Sequence, residues 1–167
     1  RLHTGDPSLY GAIFEQMAEL NRQSIPYRVI PGVTAAFAAA AAMGIEYTLP
    51  EVSQTLIITR MEGRTPVPEK EALASLAAHQ ATMAIYLSVG MIDKVAAVLQ
   101  GAYGPSSPCA VVYRASQPEE KIVYTSLSRL VEEVDRAGIQ RQAVIIVGRV
   151  LDVSLESLQH KSKLYDA

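Results

Sequence analysis

The sequence predicts an α/β protein in which part of one α/β domain is followed by a complete second α/β domain with a five-stranded mixed sheet. Short apolar segments alternate with segments of helical periodicity along its 167 residues. A nearly all-apolar run at 143–150, AVIIVGRV, has the composition of a central strand. Residues 116–120 separate two further strand patterns, and so short a connection requires an antiparallel hairpin.

Residues 1–49 are expected to be only the C-terminal part of the first domain, since their two strands and two helices cannot bury both faces of a sheet. Its strand and helix patterns alternate at residues 1–3, 7–23, 27–30 and 35–43. Pro7 is tolerated in the first turn of a helix. The second helix contains seven alanines in nine residues, with Thr34 as its expected N-cap and Gly44 as the residue that ends it.

The second domain is expected over residues 50–155, with a polar tail at 156–167. Residues 46–51 lack periodicity and contain Pro50, so we expect them to link the two domains. The predicted strands of the second domain lie at 54–60, 82–88, 109–115, 121–126 and 143–150. Its predicted helices lie at 69–78, 91–100 and 127–137.

Composition excludes several classes of function. A net charge of −2 and a pI near 5.9 give no basic face for a nucleic acid. The single cysteine, Cys109, excludes an intrachain disulfide framework and indicates a reduced core thiol. The longest uncharged run, 29–45, is broken by Pro31 and Gly32 and falls short of the roughly 20 apolar residues of a membrane span. We therefore expect a cytoplasmic protein without nucleic-acid or membrane partners.

Two turns are candidate ligand sites because each follows a predicted strand and opens a helix. They are TGDP at 4–7 and PGVTA at 31–35. Ligands of open α/β sheets bind at the carboxyl ends of strands, where helix N-termini offer free N–H groups. Taken singly, each turn is better explained as structural, with Asp6 in an Asx-type turn and Thr34 as a cap. The pair together points to one pocket for a small polar ligand.

Other reactive residues form no recognised motif. Arg60 and Arg64 lie in a polar loop and could bind ligand carboxylates, although a solvated loop explains them too. The chain contains no nucleophile elbow, GxGxxG or Walker A sequence. The histidines stand at positions 3, 79 and 160 without ligand spacing, so no metal site is expected.

Several longer segments are more specific. RLHTGDPSLYG stands at 1–11, VIPGVTAAFAAAA at 29–41 and AVIIVG at 143–148. Together they resemble the tetrapyrrole (corrin/porphyrin) methyltransferases, which use S-adenosylmethionine (SAM). A finer resemblance is to the branch that methylates C11 of precorrin-4 or cobalt-precorrin-4 in cobalamin biosynthesis. It is carried by YTLPEVSQTLIITRMEGRTPVPEKE at 47–71, ATMAIYLS at 81–88 and AVVYRASQPEEKIV at 110–123.

The resemblance implies a tetrapyrrole-methylase fold with SAM bound between two α/β domains, a tetrapyrrole substrate and a homodimer. It places cofactor contacts on nine residues: Thr4, Gly5, Asp6, Leu9, Thr34, Ala35, Leu87, Ala115 and Ala143. The acetate and propionate groups of the acceptor make Arg60, Arg64 and Arg114 candidates for substrate binding. The family's Gly/Pro-rich loop on its first strand has no counterpart here, so we expect an N-terminally truncated first domain.

The implied reaction is an in-line methyl transfer, which requires positioning more than a reactive side chain. No catalytic residue is identified, although Asp6 and Tyr113 are alternatives for a base. Two other functions stay open. One is a methylase on the same scaffold that acts at another tetrapyrrole position or on a diphthine-type substrate. The other is an inactive truncated chain that binds SAM weakly or only dimerises.

Overall fold

A five-stranded sheet organises the second half of the chain. The structure is a computed structural model that describes residues 1–154, so the predicted polar tail lies outside the described residues. The strands are β1 (Leu56–Arg60), β2 (Thr82–Tyr86), β3 (Pro108–Tyr113), β4 (Lys121–Ser126) and β5 (Ala143–Val147). The α-helices are α1 (Ile13–Arg22), α2 (Ala35–Met43), α3 (Leu73–Ala77), α4 (Ile92–Tyr103) and α5 (Leu130–Arg136). Short 3-10 helices span Glu69–Glu71, Val89–Met91 and Arg149–Asp152.

The sheet is mixed, and its strand order is β1-β2-β5-β3-β4. Strands β1 and β2 are parallel, whereas β2–β5, β5–β3 and β3–β4 are antiparallel. On the central strand β5, Ile146 lies opposite both Ala84 of β2 and Ala110 of β3. The predicted mixed sheet, the β3–β4 hairpin and the central position of the apolar strand are all confirmed.

Two apolar clusters form on opposite faces of this sheet, because successive strand residues point to opposite sides. Ile145 of β5 belongs to the cluster that contains buried residues of α3, α4 and α5. Ile146 belongs to the cluster that contains Ala36 and Ala39 of α2, together with Tyr47. Helix α2 therefore covers the second face of the sheet.

Three of the five strands, β2, β3 and β5, end where the backbone turns into a left-handed or extended positive-φ conformation. Leu87 follows β2 with φ 55°, Arg114 follows β3 with φ 47°, and Gly148 follows β5 with φ 145°. All three strands consequently stop two or three residues earlier than predicted. The predicted helix at 69–78 is also interrupted, since Ala72 adopts ψ 142° between a 3-10 turn and α3.

Part of the prediction for the first domain is wrong. Residues 1–3 and 27–30 are not strands, because a strand needs a hydrogen-bonded neighbour and none of the described strands pairs with them. The first helix begins at Ile13 instead of at Pro7 or Ser8, since Ala12 has φ 48° and interrupts the helical path. Helix α2, by contrast, spans the predicted residues and ends at Gly44 in the left-handed conformation.

The segment predicted as a linker, residues 46–51, is hydrogen-bonded both to α2 and to β2. Tyr47 is only 5% exposed. Its hydroxyl donates to the carbonyl of Ala36 in α2 at 2.6 Å, and its own carbonyl accepts from Thr82 Oγ1 at 3.0 Å. These contacts hold α2 at a defined height above β2.

The two candidate turns are joined through Asp6. Its Oδ1 accepts from the N–H and the hydroxyl of Ser8, which is the Asx-type turn, and its Oδ2 accepts from the N–H of Gly32 at 2.8 Å. Hydrogen bonds from the Ser8 side chain, the Gly32 amide and the Ser8 amide lower the pKa of this carboxyl. A Cβ on Gly32 would lie 2.1 Å from the carbonyl oxygen of Gly5, so only glycine allows this approach.

Among the residues that the structure describes, no helix has the length and apolar character that a membrane crossing requires.

We predict that Gly32→Ala lowers the free energy of unfolding by more than about 1 kcal/mol, because the new methyl group collides with backbone that cannot rotate away. Gly101→Ala is the matched control, since nothing lies within 4 Å of a Cβ at that position in α4. Alanine there is expected to be neutral or stabilising. Chemical denaturation measures both, and equal stability of the two variants would contradict the prediction.

We predict that Asp6→Asn lowers the thermal midpoint at pH 7, because Asn offers one acceptor where the carboxylate offers two. The pKa of Asp6 in the folded protein lies below its pKa in the unfolded chain, which is near 3.8. Its contribution is therefore present above that value and is lost as pH falls through the native pKa. The difference in midpoint from wild type should shrink between pH 7 and pH 3, as followed by circular dichroism. A difference that stays constant over this range would contradict the assignment.

Candidate functional site

A cavity of about 680 Å³ lies where the turns at residues 4–7 and 31–35 face one end of the sheet. The near wall is formed by residues within 4–10 and 33–38. The far wall is formed by residues within 86–90, 112–117 and 140–144. The segments of the far wall meet because β2 and β3 end, and the antiparallel strand β5 begins, at the same end of the sheet. Tyr113, the last residue of β3, pairs with Ala143, the first residue of β5. The volume is in the range of small-molecule sites, about 300–1,000 Å³.

The structure brings together every residue for which the family resemblance implies a cofactor contact. All nine line this single cavity: Thr4, Gly5, Asp6, Leu9, Thr34, Ala35, Leu87, Ala115 and Ala143. They come from turns and strand ends that are far apart in the sequence. Their role in binding stays a prediction, but their placement is that of one site.

The far wall carries backbone strain at residues that are not glycine. Leu87, Arg114, Ser116 and Gln142 have φ values of 55°, 47°, 66° and 57°. Such conformations are rare for residues with a Cβ and concentrate at functional sites. The side chain of Leu87 is 69% exposed at the cavity. Sequence reasoning did not predict these left-handed backbone conformations, because none of the four residue types indicates one.

Two tyrosines that sequence reasoning also missed, Tyr10 on the near wall and Tyr86 on the far wall, connect the two walls. Thr34 occupies the predicted N-cap position of α2, but its side chain does not cap the helix. Its Oγ1 is instead 2.8 Å from the hydroxyl of Tyr86, which also accepts from the N–H of Ala36 at 2.5 Å. The ring of Tyr10 packs against that of Tyr86 with centroids 5.5 Å apart. The only sequence signal for Tyr86 was its place at a strand end.

The three predicted substrate arginines have different surroundings. Arg60 donates to the carbonyls of Thr65 and Pro66 at 3.0 Å each, so it organises its own loop. Arg114 lines the cavity, but its guanidinium pairs with Glu119 at 3.3 Å. Arg64 is exposed, outside the cavity lining, and forms no hydrogen bond or ion pair within residues 1–154.

Arg114 has further contacts that hold it on the cavity wall. Its Nε donates to Gln142 Oε1 at 3.0 Å, and its guanidinium lies 5.4 Å from the centre of the Tyr113 ring. The arrangement leaves this cation largely satisfied by the protein itself.

Neither alternative for a catalytic base is well placed. Both oxygens of Asp6 accept hydrogen bonds and its pKa is lowered, which makes it a weak base. Tyr113 is not part of the cavity lining.

Cys109 is buried in the core as predicted, and burial raises its pKa to about 12. Within residues 1–154 no group of three or more potential metal ligands is present.

The cavity therefore offers shape and hydrogen bonds more than reactive groups. Four alanines at positions 35, 38, 115 and 143 leave room along its walls. Such a site suits a ligand that already carries its own activated group.

Comparison with known proteins identifies relatives of this chain. The family model described as Tetrapyrrole (Corrin/Porphyrin) Methylases matches residues 1–131. The cobalt-precorrin-4 C(11)-methyltransferase of Methanocaldococcus jannaschii is 56% identical over 99% of this chain and 63% of its own length.

Solved structures agree with this relationship. The structure of a cobalamin biosynthetic enzyme, cobalt precorrin-4 methyltransferase, superposes with a TM-score of 0.88 at 47% identity, over 92% of this chain and 64% of the other. Uroporphyrin-III C-methyltransferase from Thermus thermophilus, solved in complex with S-adenosylhomocysteine, gives 0.72 at 26% identity, over 90% and 65%.

This chain thus spans just under two thirds of the length of each of these relatives. The predicted fold and the resemblance noted in the sequence are both confirmed. Because the family model covers most of the chain and identity to a curated relative exceeds one half, the chain belongs to the tetrapyrrole (corrin/porphyrin) methylases.

Proposed function

We propose that this chain forms the methyl-donor site of a SAM-dependent methyltransferase acting on C11 of precorrin-4 or cobalt-precorrin-4 in cobalamin biosynthesis. The observation that carries the proposal is the convergence of nine family-implied contact residues on one cavity of about 680 Å³. The names of the relatives support the reaction and the substrate class. The complex of the Thermus thermophilus relative with S-adenosylhomocysteine supports the cofactor.

The residues present fit such a donor. Alanines along both walls leave space beside the backbone, and none of the described cavity-lining residues is a cysteine, histidine or lysine. SAM supplies a methyl group already activated by the sulfonium. The chain's own residues then have two tasks, which are to hold the donor in one orientation and to exclude water. The apolar side chains of Leu9, Val33 and Leu87 serve the second task.

We also propose that residues 1–49 are the C-terminal part of a first α/β domain and residues 50–155 a second domain, with the donor between them. Helix α1 has no buried residue, and Phe14 and Ile30 are 76% and 61% exposed. This exposed apolar surface within residues 1–49 supports a covering partner for that segment. A homodimer and a cytoplasmic location belong to the same proposal and rest on the family resemblance.

Another tetrapyrrole position is the second candidate, since one relative is named for uroporphyrin-III. Methylation assays that offer precorrin-4, precorrin-3 and uroporphyrinogen to the protein separate these reactions. Preferential methyl transfer to uroporphyrinogen would overturn the assignment to C11.

We predict that Ala35→Leu weakens binding of S-adenosylhomocysteine at least about tenfold, because an isobutyl group enters the cavity from the start of α2. Isothermal titration calorimetry of the chain measures the affinity. Ala41→Leu is the matched control, since Ala41 lies on the same helix, is exposed and does not line the cavity. Equal affinity of both variants, or no binding by wild type, would contradict the proposed donor site.

Arg64 remains the substrate arginine with no protein partner among the described residues. We predict that Arg64→Ala lowers the affinity for precorrin-4 about twofold to fivefold, as expected for one exposed ion pair, and leaves S-adenosylhomocysteine affinity unchanged. Lys70→Ala, which removes another exposed cation, is the control. Unchanged acceptor affinity in Arg64→Ala, measured by spectroscopic titration, would remove this residue from the substrate site.

A further inference from the structure

The backbone N–H and carbonyl of Ala36 are both held by tyrosine hydroxyls. Its N–H donates to Tyr86 Oη at 2.5 Å, and its carbonyl accepts from Tyr47 Oη at 2.6 Å. Ala36 itself is fully buried in the first turn of α2. Burial raises the pKa of Tyr47, so its hydroxyl keeps its proton and remains a donor.

Tyr86 takes over a task that the helix's own N-cap residue usually performs. The first N–H groups of a helix have no partner within the helix, and a threonine at the N-cap commonly supplies one. The hydroxyl of Thr34 is engaged with Tyr86 Oη instead, at 2.8 Å. A side chain from β2 therefore caps α2, and it joins the two walls of the cavity.

The main chain at Tyr86 is itself fixed. Its carbonyl accepts from Ser88 Oγ at 2.6 Å, and the same Ser88 Oγ accepts from the N–H of Met61 at 2.8 Å. Tyr86 also pairs with Arg60 in the parallel β1–β2 ladder. Ser88 is fully buried. Because the strand end cannot shift easily, it serves as a rigid reference for the position of α2.

Residues on both sides of this hydrogen bond line the cavity. Thr34 and Ala35 belong to the turn that Tyr86 holds, and Leu87 is its neighbour in the chain. We propose that Tyr86 is a positioning residue. It sets the distance between the turn that opens α2 and Leu87 on the far wall of the cavity, and thereby the affinity for the methyl donor. This inference rests on the proposed donor site. Tyr47 holds the backbone of the same residue, Ala36, but lies outside the cavity lining, which makes it the internal control.

The test compares Tyr86→Phe with Tyr47→Phe, since each removes one hydroxyl from Ala36 and keeps the ring. Calorimetry measures S-adenosylhomocysteine affinity, thermal unfolding measures stability, and amide hydrogen exchange of residues 35–38 is followed without ligand. Tyr86→Phe should weaken binding about threefold to tenfold, the loss expected for one hydrogen bond, and speed exchange at Ala36. Tyr47→Phe should lower the thermal midpoint at least as much and leave the affinity within twofold of wild type.

The outcomes separate this role from the proposed function. Wild-type affinity in Tyr86→Phe, or equal loss of affinity in both variants, would overturn the positioning role while the donor site stands. Unchanged exchange at Ala36 in Tyr86→Phe would overturn it as well. Absence of binding by the wild-type chain would overturn the proposed donor site and the positioning role together.

Discussion

The close approach of α2 to the sheet is the contact on which the cavity depends. Ala36 and Ala39 are fully buried in the cluster that includes Ile146 of the central strand. Because an alanine side chain is a single methyl group, the helix backbone comes within hydrogen-bonding distance of tyrosine hydroxyls from outside the helix. Alanine also has the highest helix propensity, so the same residues favour the helix and its proximity to the sheet. The near wall of the cavity is thereby set against the far wall.

The far wall combines strain with hydrogen bonds that hold it. Left-handed backbone at a residue with a Cβ costs about 1–3 kcal/mol, and four such residues lie on the far wall of the cavity. The Arg114 N–H donates to the carbonyl of Gln142, and the Ser116 N–H donates to Glu120 Oε2. These bonds offset part of the cost and keep the rim in one shape. The cavity is therefore preformed on both sides, which reduces the entropy lost when a ligand binds.

Two charged residues that line the cavity, Asp6 and Arg114, serve structure before chemistry. Asp6 accepts from Ser8 and Gly32 and so joins two turns, while Arg114 is neutralised by Glu119. With Asp6 and Arg114 committed in this way, the site influences a reaction through placement and exclusion of water. That arrangement suits methyl transfer from an activated donor, where no protein nucleophile is required.

The sequence by itself determined the five-stranded mixed sheet, the span of α2 and the family, because apolar periodicity, alanine content and ordered motifs are local properties of the chain. It also placed nine residues that share one cavity. It misjudged residues 27–30, since a strand requires a partner that local sequence does not reveal. Only the tertiary structure decided that Tyr86 caps α2 and that Leu87 turns into the cavity. The cap depends on contacts between segments about 50 residues apart, which no local pattern encodes.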